Sequence, residues 1–197
     1  ATLMLKKVLF LLTPLFLAVV ARGSVSVSAN GVTHLVLSSS GTALPVGDII
    51  RIGFFSSSGT SILSTSTSFA TLNSDFTPIG EGSADGDTFS ESGVSGDTLE
   101  INNFSGVNGA FLGGFSNITA SYFSSDPNGL LYFWVFNSST PSTATQWGIY
   151  EDSAWAVPTD PGSVTLTFNS ANIQAVQGST VVINGTTDYE LANIPAT

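Results

Sequence analysis

One segment of the sequence, Leu130 to Phe136, limits the folds that are open to this chain. It consists of seven consecutive apolar or aromatic residues, LLYFWVF, and it follows the turn sequence Asp-Pro-Asn-Gly at 126–129. At ~3.3 Å per residue this length makes one strand of a sheet, whereas a membrane-spanning helix needs about 20 residues. A strand that is apolar throughout is covered on both faces. The segment therefore predicts a central core strand, whose second face is covered by this chain or by another subunit.

Other segments alternate apolar and hydroxyl residues with the period of two that is typical of half-buried strands. Ser24–Ala29 alternates Ser with Val or Ala, and Ser163–Phe168 places its apolar residues between hydroxyl residues. Asn30-Gly31 is a strong hairpin turn, so we expect 24–38 to form a hairpin. Gln146–Glu151 and Ser153–Pro158 are predicted to be two separate short strands.

Turn signals recur every 8–15 residues or so along 24–197, and no αβ alternation or heptad repeat interrupts them. This pattern predicts one all-β domain, an antiparallel β-sandwich or jelly roll of about 9–11 strands. Composition agrees, because charged residues are only 9% of the chain against the ~25% usual for soluble domains. Ser, Thr, Gly and Asn take the polar positions, and the residues of long exposed helices are scarce.

The first 23 residues have the pattern of a secretory signal. Lys6-Lys7 precedes an apolar run, Val8–Ala21, which is shorter than a membrane span. We expect 1–23 to be a cleaved signal or, if retained, an apolar strand donated to a neighbouring subunit. Secretion places the mature chain outside the cell.

Net charge excludes several classes of partner. Beyond residue 23 the chain has Arg51 as its only Lys or Arg and 14 acidic residues, giving 1 − 14 = −13. Such a surface repels nucleic acid and anionic membranes, and it attracts divalent cations or a basic partner.

No catalytic constellation stands out. His34 is the only histidine and the chain has no cysteine, which disfavours a catalytic triad and a zinc site. We expect His34 to be an ordinary strand residue. Glu151-Asp152 is the remaining option, as a carboxylate pair of the kind that glycosidases use, but turn residues are the simpler interpretation. The sequence therefore predicts a protein that is not an enzyme and requires no cofactor.

Calcium is the best candidate for a small ligand. Five acidic residues lie within the Gly/Ser-rich segment 85–100, and hard cations prefer several oxygen ligands on loops. A solvated acidic loop is the alternative, since no recognised calcium loop motif is present. The candidate ligands are Asp85, Asp87, Glu91, Asp97 and Glu100.

Two further kinds of site concern carbohydrate. Trp147 and Trp155 beside Glu151-Asp152 are candidates for sugar binding, the alternative being that these rings belong to the core. Four Asn-x-Ser/Thr sequons are candidate glycosylation sites in a secreted protein. They begin at Asn103, Asn117, Asn137 and Asn184.

Several segments resemble bacterial secreted proteins of the PEP-CTERM sorting class. They are YFWVFNSST at 132–140, GIYEDSAWAVP at 148–158, GTALPVGDIIRIGFF at 41–55, SDFTPIGEGS at 74–83 and DYELANIP at 188–195. The sorting tail of that class does not follow in the printed sequence, which ends at Thr197 without a PEP motif. The resemblance implies export and a place in an extracellular polysaccharide matrix.

Two functions follow as expectations. The first is a non-catalytic extracellular structural protein, a surface, matrix or filament subunit that forms a homo-oligomer or polymer through strand edges or a donated strand. Ser24–Val32 or the apolar segment before it is the expected donor. The second is a calcium-dependent carbohydrate-binding or adhesion module.

Overall fold

The structure is a computed structural model that describes residues 24–57, 63, 67–80, 88–91, 98–102, 106–126, 128–159, 161–169 and 172–194. The expected signal, 1–23, lies outside these residues. Within them, none of the helices has the length and apolar character that crossing a bilayer requires.

The described residues form fourteen strands, one α-helix and two short 3-10 helices. The strands are β1 Ser24–Gly31, β2 Val36–Leu37, β3 Ile49–Phe55, β4 Phe76–Pro78, β5 Thr88–Glu91, β6 Leu99–Glu100, β7 Phe111–Thr119, β8 Leu130–Phe136, β9 Gln146–Ala156, β10 Gly162–Thr167, β11 Gln174–Gln177, β12 Ser179–Ile183, β13 Thr186–Glu190 and β14 Ala192–Asn193. The helix α1 is Phe69–Asp75, and the 3-10 helices are Ala120–Ser125 and Pro141–Thr143.

Three sheets make up the described fold. The first sheet has the order β10-β1-β7-β5. The second has the order β11-β9-β8-β3-β4, with β14 beside β9 and β6 beside β3. The third has the order β12-β13-β2. Strand pairs are antiparallel except β1 with β10 and β2 with β13, which are parallel.

The first and second sheets pack face to face around one apolar core, which confirms the predicted all-β sandwich. The first sheet contributes the alternate residues Val25, Val27 and Ala29 of β1, all fully buried, as their period of two predicts. The second contributes Leu131, Phe133 and Val135 of β8. Burial of apolar surface between layers is the main stabilising term of such a domain.

The opposite face of β8 is covered by this chain itself. Tyr132, Trp134 and Phe136 belong to a second apolar cluster. That cluster also holds Leu63, Leu72 and Phe76, and Phe69 of α1 packs against it. The prediction that LLYFWVF is a central strand covered on both faces is therefore confirmed, and the cover is intramolecular in the described residues.

Arg51, on β3, is buried in this outer cluster. Its guanidinium lies 5.0 Å from the ring centre of Phe76 and 5.5 Å from that of Trp134. Nη1 donates a hydrogen bond of 2.7 Å to Oδ1 of Asn73 on α1. These contacts hold the cation between α1 and the sheet, where stacking on aromatic faces offsets part of its loss of hydration.

The predicted hairpin of 24–38 is wrong. Asn30 does turn the chain, since its Oδ1 accepts a hydrogen bond from the Val32 N–H. However, β1 pairs with β7 and β10, and β2 pairs with β13 in another sheet. Asn30-Gly31 therefore produces only a local bend. The burial of Val25 and Val27 in the core favours the pairing of β1 with β7 and β10 instead.

The two strands predicted for 146–158 are one strand, β9. Its pairing with β8 passes from Leu130 with Ala156 to Tyr132 with Glu151 through an irregularity. A bulge of this kind places extra residues on one strand without ending it, so a local change in pattern imitates a strand boundary. The helix α1 begins after Ser68, whose side chain caps it by accepting a hydrogen bond from the Thr71 N–H.

We expect Gly178→Ala to be more destabilising than Gly47→Ala. Both glycines have a left-handed backbone, with φ of +94° and +92°. A Cβ at Gly178 would overlap the carbonyl oxygen of Glu190, whereas none of the described atoms lies within 4 Å of one at Gly47. Backbone strain alone costs roughly 1 kcal/mol, and the overlap raises the loss at Gly178 to about 2 kcal/mol.

Urea denaturation of the two variants measures this difference. Because the two positions share the same backbone strain, the difference isolates the close approach of Gly178 to β13. Equal losses in free energy of unfolding would contradict the packing described for the link between β11 and β12.

Candidate functional site

The predicted calcium ligands are only partly within the described structure. Asp85, Asp87 and Asp97 lie outside the described residues. The backbone of Glu91 ends β5 opposite Gly113 in the first sheet, and Glu100 lies on β6 opposite Ile49 in the second. Among the described residues no group of three or more acidic, His or Cys side chains is suited to a metal ion. The calcium site stays a prediction, and its two described members lie on strands of different sheets.

Trp147 and Trp155 are both core residues, so the prediction of exposed, sugar-binding rings is wrong at these positions. Each is 2% exposed. Trp155 packs on Phe133 and Phe168 in the inner core. Trp147 packs on Trp134 in the outer cluster, and its Nε1 donates to Gln177. A ring that stacks on a sugar must expose one face to solvent. Burying a large aromatic ring stabilises the fold, and both faces of these two rings are covered by the core.

The sequons occupy different local structures. Asn103 lies outside the described residues. Asn117 is exposed, with a φ of 63°, at the bulge where β7 has two residues opposite one of β1. Asn184 is exposed in the tight turn between β12 and β13, with a φ of 51°.

Asn137 has a structural use for its side chain. Nδ2 donates to Oγ1 of Thr145 over 2.9 Å, and Oδ1 accepts from the backbone N–H groups of Thr145 and Gln146. A sugar on Nδ2 competes with the first of these bonds. Glycosylation stays a prediction. Of these two sequons, the one at Asn184 in the hairpin turn is more accessible than the one at Asn137.

His34 lies in a bend just before β2 rather than in a strand. Its Nδ1 is 2.7 Å from the carbonyl oxygen of Thr187, so it donates a hydrogen bond there. The neighbouring Leu35 N–H donates to Oδ1 of Asp188 over 2.8 Å. These bonds tie the bend to β13, which gives His34 a structural role.

A polar cavity of about 480 Å³ lies where the beginning of β8 meets β9 and the segment before β11. Its lining includes Glu151, Asp152 and Asn172. Asp152 is buried, and its Oδ1 accepts from the Ala154 N–H over 2.9 Å. Although Glu151 and Asp152 both contribute to the lining, successive strand side chains point to opposite faces. The Glu151 carboxylate bonds to Tyr132, which lies opposite it on β8, so it is directed away from that of Asp152.

Burial raises the pKa of Tyr132, and its hydrogen bond to the Glu151 carboxylate adds to this effect, as does the nearby charge of Asp126. Burial also raises the pKa of Asp126, although the backbone N–H groups of Asn128 and Gly129 oppose it by bonding to Oδ1. Tyr132 is therefore a neutral hydrogen-bond donor at all physiological pH values. Two carboxylates near this cavity have structural roles, because Asp126 accepts hydrogen bonds from the N–H groups of Asn128 and Gly129 and Asp152 accepts one from that of Ala154.

The outer face of the first sheet is lined with hydroxyl groups. Ser26 and Ser28 on β1 lie opposite Ser163 and Thr165 on the parallel strand β10. A depression of about 420 Å³ lies on this face, where Gly114 on β7 has no side chain. The sequences of β1 and β10 contain no charged residue. The face can donate and accept hydrogen bonds, as polysaccharide hydroxyls do.

The sequence pattern did not single out β12, which the structure shows as an exposed edge strand. Its sequence, STVVI, is uncharged and mostly β-branched. Val182 is 68% exposed, the most of the large apolar residues described. In the part of the chain that the structure describes, β12 pairs with β13 along one edge, and no described strand pairs with the other.

The hydrogen-bond pattern shows which groups of β12 face outward. The turn Asn184-Gly185 joins Ile183 and Thr186, which form the closing pair. Bonded and non-bonded pairs alternate along an antiparallel ladder, so Thr180 and Val182 are in non-bonded pairs. Their partners on β13 confirm this, because the Tyr189 N–H and the Thr187 carbonyl bond toward the β2 side. The N–H and C=O groups of Thr180 and Val182 therefore point away from β13.

Comparisons with protein families, curated proteins and solved structures find no match. The resemblance to the PEP-CTERM sorting class and the functions expected from it thus stay predictions.

Proposed function

We propose that the protein is a non-catalytic extracellular structural protein, a surface, matrix or filament subunit that assembles with copies of itself through strand edges. The observation that carries the proposal is a sandwich that closes its own core but, among the described strands, leaves one edge of β12 unpaired. Both faces of β8 are covered from within the chain. The outward groups of β12 are left to pair with a further strand, which is the usual way in which sheets extend between chains.

Two sequence features support an extracellular place. The segment 1–23 has the pattern of a secretory signal, and the chain has many hydroxyl residues and few charges. The hydroxyl-lined face of the first sheet supports contact with an extracellular polysaccharide. Hydroxyl groups on this face would bind the polysaccharide by hydrogen bonds, so the buried rings of Trp147 and Trp155 are not required.

One of the two donors that the sequence suggested, Ser24–Val32, includes β1, which is held by its own chain in this structure; the other, the apolar segment before it, lies outside the described residues. Strand β1 pairs along one edge with β7 and along the other with β10. It is also the first described strand and enters the core through Val25 and Val27. With the expected signal 1–23 removed, β1 is the first strand of the sequence that remains, a position from which a neighbouring copy can supply a strand in a swapped assembly.

Electron microscopy of the purified protein over a range of concentrations, with and without calcium, tests the proposal. We expect filaments, sheets or oligomers of repeating subunits at high concentration, and single subunits in the dilute control. Single subunits under every condition would contradict it.

A further inference from the structure

We infer that β12 is the strand through which two copies of this chain join, antiparallel and edge to edge about a two-fold axis. The inference rests on the proposed function and names its contact. The strand that pairs with β12 is the β12 of a second copy of the chain. Charge, the symmetry of the paired strands and the clustering of exposed apolar residues all favour this partner.

Charge restricts where two copies can meet. The chain from residue 24 onward has a formal charge of −13, so most of its surface repels another copy. The segment Ser179–Thr187 contains no ionisable residue. It lacks the Lys, Pro or bulge with which edge strands are usually protected from pairing. Although Glu190 of β13 accepts a hydrogen bond from Ser179, β12 itself therefore offers a second acidic chain an uncharged strand.

The backbone of β12 is self-complementary. If Val181 lies opposite Val181 of the second copy, Thr180 of each strand lies opposite Val182 of the other. Thr180 and Val182 carry the outward N–H and C=O groups, so two bonded pairs form, each exchanging both of its bonds. An isologous contact of this kind closes on itself, and the same residues are used twice.

The side chains favour the same register. The exposed Val182 packs beside Thr180 of the partner strand, and β-branched pairs of this kind stabilise a sheet. Two of the four exposed large apolar residues described, Val182 and Ile183, lie on this one strand. Pairing covers the part of each side chain that faces the new strand.

The contact is weak and depends on salt. One strand pair buries far less than the ~1,600 Å² of a standard interface, so the dimer forms only at high concentration. In this arrangement Asp188 and its copy are separated by three strand spacings, about 14 Å. At physiological ionic strength the Debye length is about 8 Å. Salt screens this repulsion, so association is expected to strengthen as ionic strength rises.

Sedimentation velocity of the purified protein and of three variants tests the inference. Val182→Glu puts a charge on the edge, and we expect it to weaken association by on the order of tenfold or more. Val46→Glu is the matched control, because Val46 is 56% exposed, lies outside the strands and receives the same charge. Val182→Pro removes one outward N–H and leaves the bonds to β13 in place, so it is expected to weaken association as well.

Three outcomes separate the inference from the proposed function. Association of the unchanged protein and of Val46→Glu, with loss of association in both Val182 variants, supports β12 as the contact. Equal association of all four proteins overturns β12 and leaves assembly through another edge. Monomers of the unchanged protein at every concentration and salt overturn both. Circular dichroism of each variant checks that the fold is kept.

Discussion

Replacing Phe168 by alanine is expected to lower the free energy of unfolding by about 3–5 kcal/mol, the range for large aromatic side chains in a core. The ring is buried and lies 4.4–5.6 Å, centre to centre, from five other rings. Those rings come from all three sheets: Phe111 in the first, Phe133, Tyr150 and Trp155 in the second, and Tyr189 in the third. One truncation therefore leaves a cavity where the sheets meet.

Phe69→Ala is the control for this prediction. Phe69 is a half-buried residue of α1 that contacts rings of the outer cluster only. Since part of its surface is already in water, its loss is expected to cost less. Chemical denaturation followed by tryptophan fluorescence measures both variants. A loss at Phe168 no larger than that at Phe69 would contradict a core shared by three sheets.

The second large effect concerns Asp48, just before β3. The residue is 7% exposed, and its Oδ2 has no hydrogen-bond partner among the described residues. Burial raises the pKa of Asp48 from its ordinary 3.8 to about 6. Because the folded state holds this proton more tightly than the unfolded state, stability decreases as pH rises from about 4 to 6. At ~1.4 kcal/mol per pKa unit, the contribution lost is up to about 3 kcal/mol at pH 7.

Asp48→Asn is expected to remove this part of the pH dependence and to stabilise the protein at pH 7, because it keeps the shape and removes the charge. Free energies of unfolding at pH 4, 5, 6 and 7 compare the two proteins. They are expected to differ little at pH 4, where the carboxyl group is largely protonated in the folded protein. Parallel curves over the whole range would show that Asp48 is not a buried, unpaired carboxylate.

Local patterns predicted the strands whose burial is decided by their own residues. LLYFWVF is a central strand because seven apolar residues in a row need cover on both sides. Val25, Val27 and Ala29 of β1 are buried at the period of two that the sequence shows. Leu166 of β10 follows the same rule.

Pairing and the surface were harder to predict because they depend on residues far apart in the chain. No residue near Asn30 in the sequence indicates that β1 pairs in parallel with β10, which lies more than a hundred residues later. Trp147 and Trp155 lie within four residues of Glu151-Asp152 in sequence but turn into the two cores. Arg51 interrupts an apolar strand, and only the position of α1 explains how a cation is held there. The open edge of β12 could not be predicted from its own sequence, because it depends on where the other described strands pair.

Hydrogen exchange of the backbone amides of β12, followed by NMR in dilute and concentrated samples, tests strand-edge assembly most directly. Val181 and Ile183 bond to β13 in a single copy, so their exchange is expected to be slow at both concentrations. The amides of Thr180 and Val182 are expected to exchange fast in the dilute sample and to become protected as concentration rises. Fast exchange at Thr180 and Val182 in both samples would contradict the joining of copies through β12.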